Sequence, residues 1–121
     1  IDIYASLASM LDIELGDKEA IDSTDYLATW LNSDAAGRTE LIEESYTLAL
    51  RKGDWKYIAP TDKPNAWIAN EKRIESGLMP SPQLFNLKSD PQEQHNVLKQ
   101  HPDKAAQLSQ RITELVNRQT R

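Results

Sequence analysis

Along the first third of the chain, apolar positions recur at helical intervals. Ile3, Leu7, Met10 and Leu11 share one face of a helix predicted over residues 2–12, and Asp2 stands at its N-terminal end, where negative charge suits the helix dipole. Gly16-Asp17 interrupts the pattern. A second short helix is predicted after it, with Ser23 as its cap and Tyr26, Leu27, Trp30 and Leu31 on one face. Asn32 to Gly37 reads as a loop.

From Leu41 the period shortens towards two. Glu43, Ser45, Thr47, Ala49 and Arg51 alternate imperfectly with Ile42, Tyr46, Leu48 and Leu50, as one or two strands would. Gly53-Asp54 supplies a tight turn into a strand over Trp55 to Ala59, which makes a β-hairpin. Pro60 to Pro64 is a loop, residues 66–69 fit a strand or a helical turn equally, Gly77 to Pro82 breaks regular structure, and Gln83 to Leu87 is a short strand.

The last third reads as helical. In Asp90-Pro91-Gln92-Glu93, Asp90 can cap a turn whose first position is Pro91, and Glu93 stands three residues after the cap, where a capping box places its carboxylate. A final helix from about Pro102 has Ala105, Leu108, Ile112, Leu115 and Val116 as its apolar stripe, with Lys104, Arg111, Glu114 and Arg118 largely off it. The predicted class is α+β: a small antiparallel β-sheet packed against a long C-terminal helix, with helices at the N-terminal end. The expected division is a helical segment over 1–36 and a sheet-plus-helix subdomain over 37–121.

Composition narrows the function more than the fold. At 121 residues the chain is about one domain long, with 39% hydrophobic and 7% aromatic residues, so its core is thin. Net charge is −5, which argues against general nucleic-acid binding. The charge is uneven: residues 1–50 hold 11 acids against Lys18 and Arg38, and the basic residues beyond do not gather into a run. The absence of cysteine removes disulfides, thiolate nucleophiles and Cys-ligated zinc. No stretch reaches the ~20 apolar residues of a membrane helix, so no membrane partner is expected. The opening Ile1-Asp2-Ile3, without Met, reads as an excised piece.

Candidate chemistry is sparse. His95 and His101 stand six positions apart near predicted helix starts and are read as surface or capping residues. Glu43 and Glu44 are adjacent on a strand, so they face opposite ways and cannot share a proton or a metal. The four glycines are scattered, which leaves no phosphate-cradling loop. Trp55 and Tyr57 share a strand face and are assigned to the core beneath the last helix. Trp67 differs, lying between Asn65 and Asn70 with Lys72 and Arg73 close behind. An exposed indole beside cations suits a carbohydrate or anionic ligand. Trp67, Lys72 and Arg73 are therefore the candidate substrate contacts; no catalytic or metal-ligating residue is assigned.

Two segments carry a family resemblance. Ala49-Leu50-Arg51-Lys52-Gly53-Asp54-Trp55-Lys56-Tyr57-Ile58 resembles the A-x-R-x-G-x-W-K-x-I hairpin near the C-terminus of sulfatases. Leu84-Phe85-Asn86-Leu87, followed by Asp90-Pro91-Gln92-Glu93 and Asn96-Val97, resembles that family's L-Y-D-L-x-x-D-P-x-E-x-x-N-L segment. The front is similar too: Ile1-Asp2-Ile3-Tyr4-Ala5-Ser6-Leu7 is like the family's V-D-I-x-P-T-L helix, and Asp22-Ser23 with Leu27 and Leu31 is like the segment after it. Ala5, Phe85 and Asn86 depart mildly from the family's Pro, Tyr and Asp, and residues 60–82 match nothing general in it.

The resemblance implies the C-terminal subdomain of a sulfatase, a sulfuric ester hydrolase related to alkaline phosphatases. It implies a partner, the missing N-terminal catalytic domain, and a sulfated small molecule or glycan as substrate of the whole enzyme. It implies calcium and a formylglycine made within C/S-x-P-x-R for the parent, and none for this part. Ser89-Asp90-Pro91-Gln92-Glu93 ends in Glu rather than Arg and is not that nucleophile. The isolated part is expected to be inactive and structural, with one loop lining the substrate entrance. Loss of its partner is expected to leave Leu7, Leu11, Leu27 and Trp30 as an exposed patch prone to self-association. Family habit puts the parent in the periplasm, outside the cell or in a lysosome. The alternative reading is an independent, non-catalytic binding module for a carbohydrate or anionic glycan.

Overall fold

The computed structural model describes residues 1–44, 46–61 and 78–119. The chain divides into two compact units, Ile1–Arg38 and Thr39–Arg121. The first holds helices α1 (Ile3–Met10) and α2 (Leu27–Leu31). The second holds strands β1 (Glu40–Glu44), β2 (Leu48–Lys52), β3 (Trp55–Ile58) and β4 (Gln83–Asn86), then helix α3 (Pro102–Gln119). The expected α+β class and its antiparallel sheet with a long C-terminal helix are both present.

In the first unit, α1 ends before the Gly16 break that the sequence pattern marks. Asp12 takes a left-handed backbone (φ 55) directly after the C-cap Leu11. The Ile13 N–H then donates to the Ala8 carbonyl (2.9 Å) and the Asp12 N–H to that of Ser9 (3.2 Å). This pair of reversed bonds satisfies carbonyls that the helix leaves free. Ser23 does not cap α2 as expected. Its Oγ accepts the Ala5 N–H (2.9 Å), one of the unsatisfied first-turn donors of α1. The Leu27 N–H at the start of α2 goes to Asp25 Oδ1 instead (2.8 Å).

The second unit is a four-stranded antiparallel meander, ordered β1-β2-β3-β4. Gly53, at φ 57, makes the two-residue turn between Lys52 and Trp55 that the Gly-Asp pair predicts. The register puts Ile42 opposite Leu50, Leu50 opposite Tyr57, and Tyr57 opposite Leu84. One apolar row thus crosses all four strands. Ala105, Leu108 and Ile112 of α3 pack on that row, with Leu48, Trp55, Val97, Leu98 and Leu115 around them. Leu50 and Leu84 are completely buried, and each such side chain contributes about 1.5–3 kcal/mol of transfer free energy. Val116, expected on the stripe, is 36% exposed.

Residues 90–101 form turns, so the last third is helical only from Pro102. Asp90 does act as a cap, its carboxylate accepting the Gln94 N–H (3.1 Å) and the His95 N–H (2.8 Å). Glu93 closes no capping box. No helix follows it, its backbone is left-handed (φ 56), and its carboxylate accepts from Lys56 Nζ (2.9 Å). The bond to Lys56 adds the attraction of two opposite charges to the hydrogen bond, which a backbone N–H does not offer. The outer edge of β4 is closed by this same region. The Leu84 N–H donates to Asn96 Oδ1 (3.1 Å), and the Leu84 carbonyl accepts the Val97 N–H (2.9 Å).

Candidate functional site

The three candidate substrate contacts, Trp67, Lys72 and Arg73, lie outside the described residues, as does the undecided stretch 66–69. What is described is the frame on either side. The Thr61 N–H donates to the Met79 carbonyl (2.9 Å). Thr47 Oγ1 donates to the carbonyls of Ala59 (3.1 Å) and Pro60 (3.5 Å). The chain before residue 62 and after residue 77 is thus joined to one end of the sheet, beside the β1–β2 turn.

Three ionic clusters are described, and each spends its charge on holding the fold. In the second unit, Arg111 of α3 donates to both carboxylate oxygens of Glu40 (Nε 3.2 and 3.1 Å) and to Glu114 Oε2 (3.0 Å). Lys52 Nζ adds a contact to Glu40 at 3.1 Å. The Arg111 hydrogen bonds, aided by Lys52, hold the Glu40 carboxyl down at about 2. The same pairing, with Glu40 first and Glu114 second, raises the guanidinium further above its ordinary value. On the opposite face of the sheet, Lys56 Nζ lies 2.9 Å from Glu93 and 3.7 Å from Glu43.

In the first unit, Arg38 binds both carboxylate oxygens of Asp2, with Nε to Oδ2 at 2.8 Å, and lies over the Tyr26 ring at 5.8 Å. Asp2 Oδ1 also accepts the Thr24 N–H (3.0 Å). The Arg38 hydrogen bond is the main reason the Asp2 carboxyl falls to about 2. Asp90 is lowered as well, by the His95 N–H first and the Gln94 N–H second. None of these carboxylates is poised to exchange a proton near neutrality, as a general acid or base requires.

The histidines stay apart. His95 Nδ1 is 3.6 Å from Asp90, and the His101 ring meets Trp55 edge-on at 5.0 Å and 68°. Among the described residues no group of three or more His, Cys, Asp or Glu could hold a metal ion. The Ser89-Asp90-Pro91 sequence is a turn in which Ser89 Oγ donates to the Asn86 carbonyl (3.3 Å) and Asp90 caps the following amides. The described residues therefore do not fit the calcium or the formylglycine implied for a parent sulfatase. No described helix is long and apolar enough to cross a membrane.

Sequence reasoning assigned no role to Arg38 or Asp2 as partners, or to Arg111 with Glu40. These pairs are 36 and 71 residues apart, and no local spacing announces them.

The fold and its motifs have clear relatives. The chain is 40% identical over 120 residues, 98% of its length, to an N-acetylgalactosamine-6-O-sulfatase of Bacteroides thetaiotaomicron. It is 34% identical over 71 residues, 59% of its length, to arylsulfatase K of Bos taurus. A solved structure described under the metabolism of multiple glycosaminoglycans by Bacteroides thetaiotaomicron matches with a TM-score of 0.86 and 40% identity, over 94% of this chain and 24% of that one. The crystal structure of Ps i-CgsB matches with a TM-score of 0.62 at 16% identity, over 94% and 23%, and shares the fold. No protein-family model matches the chain.

The chain is homologous to the C-terminal region of sulfatases. It spans 23% of the bacterial relative and 11% of the bovine one.

Proposed function

We propose that this chain is the C-terminal part of a sulfuric ester hydrolase, and that its role there is structural, with one loop at the substrate entrance contributing Trp67, Lys72 and Arg73 as substrate contacts. The observation that carries the reading is the 40% identity to an N-acetylgalactosamine-6-O-sulfatase across 98% of the chain. The clusters described above support it, because their charges are committed to Glu40–Arg111, Asp2–Arg38 and Lys56–Glu93 rather than converging on a reacting atom.

The proposed substrate is a 6-O-sulfated N-acetylgalactosamine, after the relative's name. In this reading the nucleophile and the calcium belong to the rest of the parent enzyme, which works in the periplasm, outside the cell or in a lysosome-like space. Trp67 offers a ring face to the sugar, and Lys72 and Arg73 offer cations to the sulfate.

The test is steady-state kinetics of the intact enzyme on that sugar sulfate. Trp67→Ala, Lys72→Ala and Arg73→Ala should each raise KM, because remote binding groups act before the chemical step. Unchanged kcat/KM in all three variants would remove Trp67, Lys72 and Arg73 as substrate contacts. Absence of sulfate release by the intact protein would remove the hydrolase reading itself.

A further inference from the structure

We infer that Tyr46 is a specificity-determining residue, its ring stacking on the sugar of the substrate and favouring the galactose configuration. The inference rests on the reading of the chain as part of an enzyme for a sulfated aminosugar, and it adds a residue which that reading does not assign.

Tyr46 lies in the β1–β2 turn with φ 62, in the left-handed region. Among the described residues four non-glycine positions share that backbone, and three have a local reason for it. Asp12 lets the Ile13 N–H close the end of α1, Ala20 sits in a turn where its carbonyl accepts the Ser23 N–H (2.7 Å), and Glu93 reaches Lys56. Tyr46 has no such reason. A bulky side chain is an outlier in this region, where glycine or asparagine sits with less strain. The fold does not use the ring either. Tyr46 is 52% exposed and stands outside the core cluster, and its hydroxyl has no hydrogen-bond partner among the described residues. Strain kept at a side chain that packs nothing is a mark of functional positions.

The neighbours fix where the ring stands. Thr47, the next residue, donates its Oγ1 to the carbonyls of Ala59 (3.1 Å) and Pro60 (3.5 Å), and the Leu48 carbonyl accepts the Ala59 N–H (2.9 Å). The Thr61 N–H in turn donates to the Met79 carbonyl (2.9 Å). The turn is therefore held at the end of the sheet formed by residues 59–61 and Met79, which flank in sequence the loop proposed for the entrance.

The ligand follows from the chemistry of such a ring. In a galactose-configured sugar the 4-hydroxyl is axial, so the C–H groups at C3, C4 and C5 share one face. An exposed aromatic ring receives that apolar face by dispersion and weak C–H contacts. In the glucose-configured epimer the C4–H lies on the opposite face and the patch is broken. Stacking at Tyr46 thus separates the two epimers.

Two variants of the intact enzyme test this. Tyr46→Asn removes the ring while suiting the left-handed backbone, and Tyr46→Phe keeps the ring. Both are assayed on N-acetylgalactosamine 6-sulfate and on its glucose-configured epimer, and thermal midpoints are recorded. Tyr46→Asn should raise KM for the galactose-configured substrate about threefold to tenfold with kcat little changed. It should also narrow the preference over the epimer and melt no lower than the parent enzyme. Tyr46→Phe should stay within about twofold of the parent on both sugars. Unchanged KM in Tyr46→Asn would overturn the inference. Equal losses on the two epimers, or a lower melting temperature, would make the residue structural and overturn it too. Binding of the galactose-configured sugar sulfate is measured separately by calorimetry. An intact protein that binds it without releasing sulfate loses the hydrolase reading alone, and the Kd of Tyr46→Asn then decides the role of the ring. Failure of the intact protein to bind that sugar would overturn the inference outright.

Discussion

Arg111, on the C-terminal helix, grips both carboxylate oxygens of Glu40 on the first strand, 71 residues earlier in the chain. The pair joins the sheet's edge strand to the helix that covers its apolar face. Both side chains are mostly shielded, at 23% and 21% exposure. Glu40→Gln should lower the stability of the second unit by about 1 kcal/mol, the upper range for ion pairs that water still reaches. Urea unfolding followed by tryptophan fluorescence measures it, and a double cycle with Arg111→Gln isolates the coupling.

Acid should undo the same contacts. Glu40 and Asp2 have folded-state pKa values of about 2 against ordinary values of 4.5 and 3.8. A carboxyl that is more acidic in the folded state stabilises the fold above its unfolded-state pKa and loses that contribution as pH falls through the folded value. Stability should therefore decline between about pH 4.5 and about pH 2. In Glu40→Gln the decline should be shallower, which thermal melts across that range will show.

The core row gives the largest expected loss. Leu84, on β4, is fully buried in the core cluster with Tyr57 and the α3 residues Ala105, Leu108 and Ile112, so Leu84→Ala should cost about 2–5 kcal/mol through lost transfer energy and the cavity left behind. Leu50→Ala should match it. Equilibrium denaturation is the measurement, and a cost under 1 kcal/mol would contradict the packing described.

Gly53 carries the hairpin turn at φ 57, with nothing within 4 Å of where a Cβ would stand. Gly53→Ala should therefore destabilise by about 1–2 kcal/mol through backbone strain alone. Gly53→Asn should cost less, because Asn tolerates the left-handed region.

Legibility in the sequence followed the range of the interactions. The Gly53-Asp54 hairpin and the α3 stripe were readable because turn chemistry and helical period act over a few residues. The role of Ser23 was misread, since its partner Ala5 is 18 positions away and belongs to another helix. Glu93 was misread for the same reason: its partner Lys56 is 37 positions back. Leu27 was expected to be exposed but is half-buried, while Ile3, Tyr4 and Met10 carry the exposed face with Leu7 and Leu11. Periodicity locates an apolar stripe but does not say whether its partner lies within the chain. Trp67, Lys72 and Arg73 stand on composition alone, and the variants above decide their role.

If this chain is part of a larger sulfatase, as proposed, the rest of that enzyme is encoded upstream of Ile1. Sequencing the native reading frame upstream of Ile1 tests it most directly. The frame should run back through a C/S-x-P-x-R motif and a set of Asp and Asn metal ligands. A start codon or a short signal peptide immediately before Ile1 would contradict the claim.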